Sequence, residues 1–355
     1  MTQMVKREST ARPRRRPAAV KGGDAKPSRR PSQLRSVADR EAFQQTFDDI
    51  VANIETVIKG KTDVVRMMMV ALIAGGHVLL EDMPGTGKTM MARAISQSLA
   101  AQQSRLQCTP DLLPSDVTGA PIFDQRTGTF SFRPGPVFAN VLLVDEVNRA
   151  TPKTQSALLE AMQERQVSVN NETYPLPKPF IILATQNPVE LAGTFPLPEA
   201  QLDRFMLKLS VGYPNRLDEV DVLEANAKGQ AIDRLGAVVD IETVIDMMAW
   251  AQDVTVSRAL RLYIVDLCQA TRSDPALMMG ASSRASQALQ SAARVLAASQ
   301  ARDDALPDDV KRLVRPVLAH RLQLSPDALL RGETVEAVVD RILASVRVPV
   351  DVDEV

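Results

Sequence analysis

Phe43, Phe47, Ile50, Val51, Ile54, Val57 and Ile58 recur at three- and four-residue spacing, which predicts an amphipathic helix from about residue 41. Val64 to Ala74 is apolar nearly all round, Met67, Met68 and Met69 included, and predicts a helix buried in the core. The period then changes. Val78-Leu79-Leu80, Val141-Leu142-Leu143-Val144 and Phe180-Ile181-Ile182-Leu183-Ala184-Thr185 are continuous apolar runs bounded by polar residues, the pattern of strands covered on both faces of a parallel sheet. A helix is expected from Met90 to Leu99, and a second one behind Thr151 as N-cap and Pro152 as first helical residue. Gln166 to Leu176 alternates like a hairpin with Asn170-Asn171 at its tip. Past a boundary at Val211 to Asn215 the patterns are helical throughout. Asn215, Ser257 and Thr334 are the expected caps, and Pro316 should kink or break the helix that starts near Pro307.

Each apolar run ends in residues with chemistry to offer. After the first comes Asp82-Met83-Pro84-Gly85-Thr86-Gly87-Lys88-Thr89, close to the phosphate-binding pattern G-x-x-x-x-G-K-[ST] with Asp82 in place of the first glycine. Between a strand and a helix, Gly85 and Gly87 let backbone N–H groups approach a phosphate, Lys88 would reach the β/γ-phosphates and the Thr89 hydroxyl would bind Mg²⁺. Pro84, Thr86 and Met90 complete the stretch expected to cradle ATP. The second run ends in Asp145-Glu146, at the carboxyl edge where α/β sheets place their ligands. Asp145 can hold the water shell of the metal, and Glu146 can polarise an attacking water. The third ends in Gln186-Asn187-Pro188, where Asn187 could donate to the γ-phosphate or to the lytic water.

These residues resemble the AAA+ ATPases, and within them the MoxR group, over roughly residues 45–350. The likeness is carried by Gly75 to Asp82, by Phe132 to Asn140, by Asp145-Glu146-Val147-Asn148-Arg149-Ala150, by Thr154 to Met162 and by Leu197 to Phe205. It implies a P-loop α/β core, residues 39–211, followed by an all-helical lid, residues 212–350, with Mg·ATP between them. It implies that Asn187 is the sensor-1 residue, that Arg204 is an arginine finger acting on the neighbouring subunit's nucleotide, and that Arg284, in Gly280 to Ser286, is sensor 2 on the lid. Without the family, Arg204 reads as a surface arginine paired with Asp203 or Glu199. The resemblance also implies a hairpin at about Val117 to Phe132 facing a central pore, a hexameric ring, chaperone-like activation of protein complexes, and a partner carrying a von Willebrand A domain.

Composition narrows the alternatives. With 355 residues and 45% hydrophobic content the chain can bury a large core, and 4% aromatics argue against a base-stacking nucleic-acid platform. Cys108 and Cys268 make no disulfide framework, and His77 and His320 lack the spacing of a zinc site. No apolar run is long enough to span a bilayer, so a cytoplasmic protein is expected. The net charge of −1 hides a basic tail: residues 1–38 carry eleven Lys and Arg against Glu8 and Asp24, with repeated prolines. Such a segment is expected to be disordered. It leaves open a nucleic-acid-associated motor using that arm, or an anionic surface as its partner; a nucleotide-switched scaffold is the remaining alternative.

Overall fold

The computed structural model describes residues 37–82, 85–126, 128–187, 193–227 and 231–349. The basic tail, apart from its last two residues, and Pro84 lie outside them. Two helices open the described chain, α1 (Val37–Glu55) and α2 (Thr62–Ile73), and lead into β1 (Val78–Glu81). The phosphate-loop segment connects β1 to α3 (Lys88–Ser98), after which come β2 (Gln103–Gln107) and the short α4 (Pro114–Thr118). A hairpin, β3 (Gly119–Asp124) with β4 (Thr129–Pro134), precedes β5 (Val141–Asp145) and α5 (Pro152–Glu164). A second hairpin, β6 (Gln166–Val169) with β7 (Glu172–Pro175), turns at Asn170 and Asn171. Both asparagines have left-handed φ values of 51° and 65°, the requirement of a two-residue turn that follows strand twist. Then come β8 (Ile181–Gln186), the single turn α6 (Glu199–Leu202) and β9 (Leu207–Leu209).

The strands β2, β5, β8, β1 and β9, in that order, form one parallel sheet. Their apolar runs split by the pleat. Val78, Leu80, Val141, Leu143, Ile181 and Leu183 face one apolar cluster, while Leu79, Leu142, Val144, Ile182 and Ala184 face another that includes Leu158, Leu159 and Met162 of α5. Full burial on both faces is why these strands read as continuous hydrophobic runs.

The rest of the chain is α7 (Arg216–Ala227), α8 (Ile241–Gln252), α9 (Arg258–Ser273), β10 (Leu277–Met279), α10 (Ser283–Ala298), α11 (Pro307–Leu318), β11 (Gln323–Leu324), α12 (Pro326–Leu330) and α13 (Val335–Ser345). Asn215 Oδ1 accepts from the Leu217 and Asp218 N–H groups, and Ser257 and Thr334 cap α9 and α13. The helical lid also carries a two-stranded antiparallel ladder of β10 and β11. Helix α11 runs through Pro316 and gives way to a 3₁₀ turn at Ala319–Arg321 only after Leu318. The proline removes one helix bond, the one its missing N–H would make to the carbonyl four residues back, and α11 continues past it for two residues.

Core and lid share one apolar cluster. It runs from Phe43, Phe47 and Ile50 through the sheet residues Leu80 and Leu143 to Trp250, Leu289, Val314 and Val339. Trp250, the single tryptophan, stacks on Phe43 with ring centroids 4.8 Å apart. Arg40 of α1 pairs with Asp303 at 2.9 Å. Helix α10 therefore packs against α1 and α2. Among the described residues, no helix is long and apolar enough to cross a membrane.

Candidate functional site

Three strand ends converge at the carboxyl edge of the sheet. Strand β8 lies between β5 and β1, so Gln186-Asn187 is flanked by Asp145-Glu146 on one side and by the phosphate loop on the other. Adjacent strands are about 4.8 Å apart, which holds the three groups within reach of one small ligand.

The loop is shaped for close approach. Gly85 and Gly87 take φ values of +83° and +84°, and a Cβ added to either would meet nothing within 4 Å, so an open cradle lies over both. Gly87 is also the N-cap of α3, whose first turn holds Lys88, Thr89 and Met90; free N–H groups and the helix dipole there favour an anion. Lys88 Nζ donates to Asp82 O at 3.2 Å and to Thr86 Oγ1 at 3.3 Å. Burial pushes the Lys88 ammonium below its ordinary pKa, and Asp82, Asp145 and Glu146 pull it back up. Thr89 is half-buried in that first turn, whereas Met90 packs against the core cluster.

Asp145 is buried and Glu146 half-buried. Asp145 Oδ2 accepts from Arg105 Nε at 2.7 Å. Glu146 takes the left-handed φ of 56°, which an ordinary side chain adopts only when its surroundings hold it there. Here its N–H donates to the buried Thr185 Oγ1 at 2.8 Å, and its Oε2 accepts from Gln107 Nε2 and Arg149 Nη1, each at 3.0 Å. The carboxylate is thus aimed by three groups from β2, β8 and the turn after β5. Cys108, next along from Gln107, donates its N–H to Asp145 O, and burial with the two carboxylates pushes its thiol up to about 12. It stays protonated and inert beside the site. Asn187 is buried.

These residues fit a magnesium nucleotide: an open glycine cradle, an ammonium and two carboxylates face the same edge. Thr89 and Asp145 are the residues that would hold the metal.

Arg204 and Arg284 lie at the other end of the sheet. Arg204 falls three residues before β9, and Leu207 pairs with Val78, the first residue of β1. Both arginines line a cavity of about 260 Å³ with Gly75, Gly76 and His77, which precede β1, and with Arg165 and Arg321. The four residues of β1 put about 13 Å between that corner and the loop. Arg284 therefore does not face the phosphate loop of its own chain; it pairs with Asp203 at 3.5 Å. Asp203 is also bound by Arg321, so it does not neutralise Arg204. Among the described residues Arg204 has no acidic partner, and its buried Nε makes no hydrogen bond. It also lines a second cavity of about 270 Å³ with Ser156, Glu160 and Gln163 of α5.

Both histidines are structural. His77 Nδ1 accepts from the Ile182 N–H at 2.9 Å and Nε2 lies 3.2 Å from Met162 O. His320 Nε2 lies 3.0 Å from Phe205 O.

Sequence reasoning missed Arg105, Gln107, Arg149 and Thr185 around the acidic pair, and Arg321 beside Asp203. Only Arg149 stood in a recognisable motif. Arg105, Gln107 and Thr185 reach the acidic pair across strands that are far apart in sequence, and Arg321 reaches Asp203 from the 3₁₀ turn after α11.

Residues 77–207 match the ATPase family associated with various cellular activities (AAA), and residues 269–342 match the AAA lid domain. The chain is 46% identical to the uncharacterised protein YeaC of Bacillus subtilis, over 88% of this chain and 98% of that one. It is 40% identical to Chaperone MoxR1 of Mycobacterium tuberculosis, covering 86% and 82%, and 32% identical to Protein MoxR of Paracoccus denitrificans, covering 85% and 96%. A solved structure of a protein from Cytophaga hutchinsonii, described as an ATPase, superposes with a TM-score of 0.83 at 36% identity, covering 88% of this chain and 97% of that one.

Proposed function

This chain belongs to the MoxR group of AAA+ ATPases, and from that premise we propose that it hydrolyses Mg·ATP in a ring, hexameric by family likeness, as a chaperone-like remodeller that matures or activates a protein complex. In this reading Gly85, Thr86, Gly87 and Lys88 hold the phosphates, with Thr89 and Asp145 on the metal. Glu146, held by Thr185, Gln107 and Arg149, takes the proton of the attacking water, and Asn187 orients that water or the γ-phosphate. Held there by Thr89 and Asp145, Mg²⁺ would supply positive charge to offset that of the phosphates.

The observation that carries the ring is the separation of the two halves of the chemistry. Phosphate loop and acidic pair occupy the carboxyl edge, while Arg204 and Arg284 occupy the amino corner of the same sheet. A chain built this way cannot put Arg204 on its own nucleotide without taking the sheet apart. It can offer the arginine to a neighbour's, where such a group is worth roughly 10³–10⁵ in rate in other NTPases. Arg284, paired with Asp203, the residue before Arg204, belongs to the same offered face. The remodelling role is supported by the relative named as a chaperone.

Phosphate release and nucleotide binding, measured on two variants, test the site. Lys88→Ala is expected to lose nucleotide affinity, and Glu146→Gln to bind ATP normally while turnover falls roughly 10²–10⁴-fold. Wild-type turnover in both would overturn the assignment. With ATP present, the Glu146→Gln ring is the form in which to capture the remodelled protein, and a von Willebrand A domain partner would be looked for there.

A further inference from the structure

Asp82 stands where the phosphate-loop pattern has its first glycine, and its main chain and side chain address two different parts of the molecule. The backbone N–H donates to Gln186 O at 3.3 Å, one residue before Asn187, and the backbone carbonyl accepts from Lys88 Nζ at 3.2 Å. The carboxylate points the other way. It accepts from Ser210 Oγ at 2.7 Å, from the Val211 N–H at 2.6 Å and from the Gly212 N–H at 3.0 Å. Ser210, Val211 and Gly212 are the first residues after β9, where the chain leaves the sheet for α7 and the lid.

Two features make this contact more than a turn. Asp82 is 7% exposed, so three charge-assisted bonds are made largely out of water, where each is about twice as strong as a neutral one. The exit segment is also held one residue on, where Lys61 Nζ donates to Tyr213 O at 2.7 Å, and Gly212 takes a left-handed φ of +63°. A glycine at position 82 would free the loop and leave the buried Val211 N–H, the half-buried Gly212 N–H and the Ser210 hydroxyl to find other acceptors.

Lys88 has three N–H donors, and Asp82 O is one of its partners. A phosphate that draws the ammonium forward takes it from that carbonyl. The released peptide carries on its own side chain the anchor of residues 210–212. We infer that Asp82 is a positioning residue that couples nucleotide at the phosphate loop to the core–lid exit at Ser210 to Gly212, so that engagement of Lys88 by phosphate is felt by the chain leading to the lid. This rests on the reading of residues 85–89 as the nucleotide site.

The experiment compares wild-type, Asp82→Gly and Ser210→Ala full-length chains. It measures affinity for a slowly hydrolysed ATP analogue with Mg²⁺, amide hydrogen exchange of residues 207–215 with and without that analogue, and steady-state kcat and KM for ATP. In the wild type, nucleotide is expected to change exchange across 207–215. Asp82→Gly, although it restores the glycine of the pattern, is expected to bind within about three-fold of wild type, to lose that response and to fall in kcat on the order of ten-fold, within what a slight misplacement of catalytic groups costs. Ser210→Ala keeps both backbone bonds and should show an intermediate response. An Asp82→Gly chain with wild-type kcat and exchange response overturns the coupling while leaving the nucleotide site standing. Equal losses of affinity and turnover in Asp82→Gly, with no separate loss of the exchange response, overturn it too, since Asp82 would then only shape the loop. A wild type that binds no nucleotide overturns the site reading and the coupling together.

Discussion

Asp203 and Arg321 form a largely buried ion pair, Oδ1 to Nε 2.8 Å, that fastens the arginine-bearing corner of the core to the lid. The guanidinium also donates to the carbonyls of Asp203 at 3.1 Å, Phe205 at 2.6 Å and Met206 at 3.3 Å, with a further short bond to Val317 O. Burial lowers the Arg321 pKa and Asp203 raises it again, so the pair stands by mutual support.

Removing one partner should therefore cost far more than a surface pair would. Asp203→Ala leaves a guanidinium in the interior without its carboxylate and is expected to lower stability by about 3–5 kcal/mol. Urea unfolding of the isolated chain measures it. A loss under about 1 kcal/mol, the range of an exposed pair, would show that the corner relaxes around the charge.

His77 predicts the pH response. Its Nδ1 accepts from Ile182 N–H and its Nε2 has the Met162 carbonyl as partner, an arrangement that requires the neutral ring. Burial, with Arg165 nearby, takes its pKa from 6.5 to about 4. The unfolded chain then binds a proton between those values that the folded one refuses, so this contribution is complete above pH 6.5 and declines as pH falls toward 4. His320, lowered in the same direction chiefly by burial, adds to it. For His77 the loss between pH 7.5 and 5 should be on the order of 2 kcal/mol. His77→Gln should flatten the profile of stability against pH; an unchanged slope would assign it to other groups.

Arg204 predicts rescue by mixing. Arg204→Ala and Lys88→Ala chains should each be nearly inactive, and mixed rings should recover turnover at interfaces where an intact loop meets an intact arginine. Arg284→Ala mixed with Lys88→Ala is expected to behave in the same way. No recovery in rings shown by sedimentation to be mixed would remove the arginines from the shared site.

Thr185 predicts a catalytic effect from a residue that need not touch nucleotide. Thr185→Val keeps the shape and deletes the acceptor that holds the Glu146 N–H. Since about 1 Å of misplacement costs up to 10²-fold in rate, kcat should fall roughly 10–100-fold with ATP affinity retained. Equal activity would mean that Gln107 and Arg149 suffice to aim the carboxylate.

The layered core was legible in the sequence because it depends on short-range rules. Val141 to Val144 and Phe180 to Thr185 announce strands buried on two faces, Asn170-Asn171 announces its turn, and Asn215, Ser257 and Thr334 announce their helices. The glycine loop and Asp145-Glu146 were visible for the same reason, since backbone freedom and chemical type are properties of a few adjacent residues. Arg105 and Thr185 were not, because their partners lie about forty residues away on strands that become neighbours only in the sheet.

By itself, then, the sequence determined the strands, the caps, the phosphate loop and the kinds of group that could serve a nucleotide. Tertiary structure alone decided which end of the sheet each group occupies. Strand β9 returns parallel to β1, and that register carries Arg204, and Arg284 through Asp203, to the corner opposite Lys88. Strand order comes from burying apolar faces across long stretches of chain, and no window of residues around Arg204 contains it.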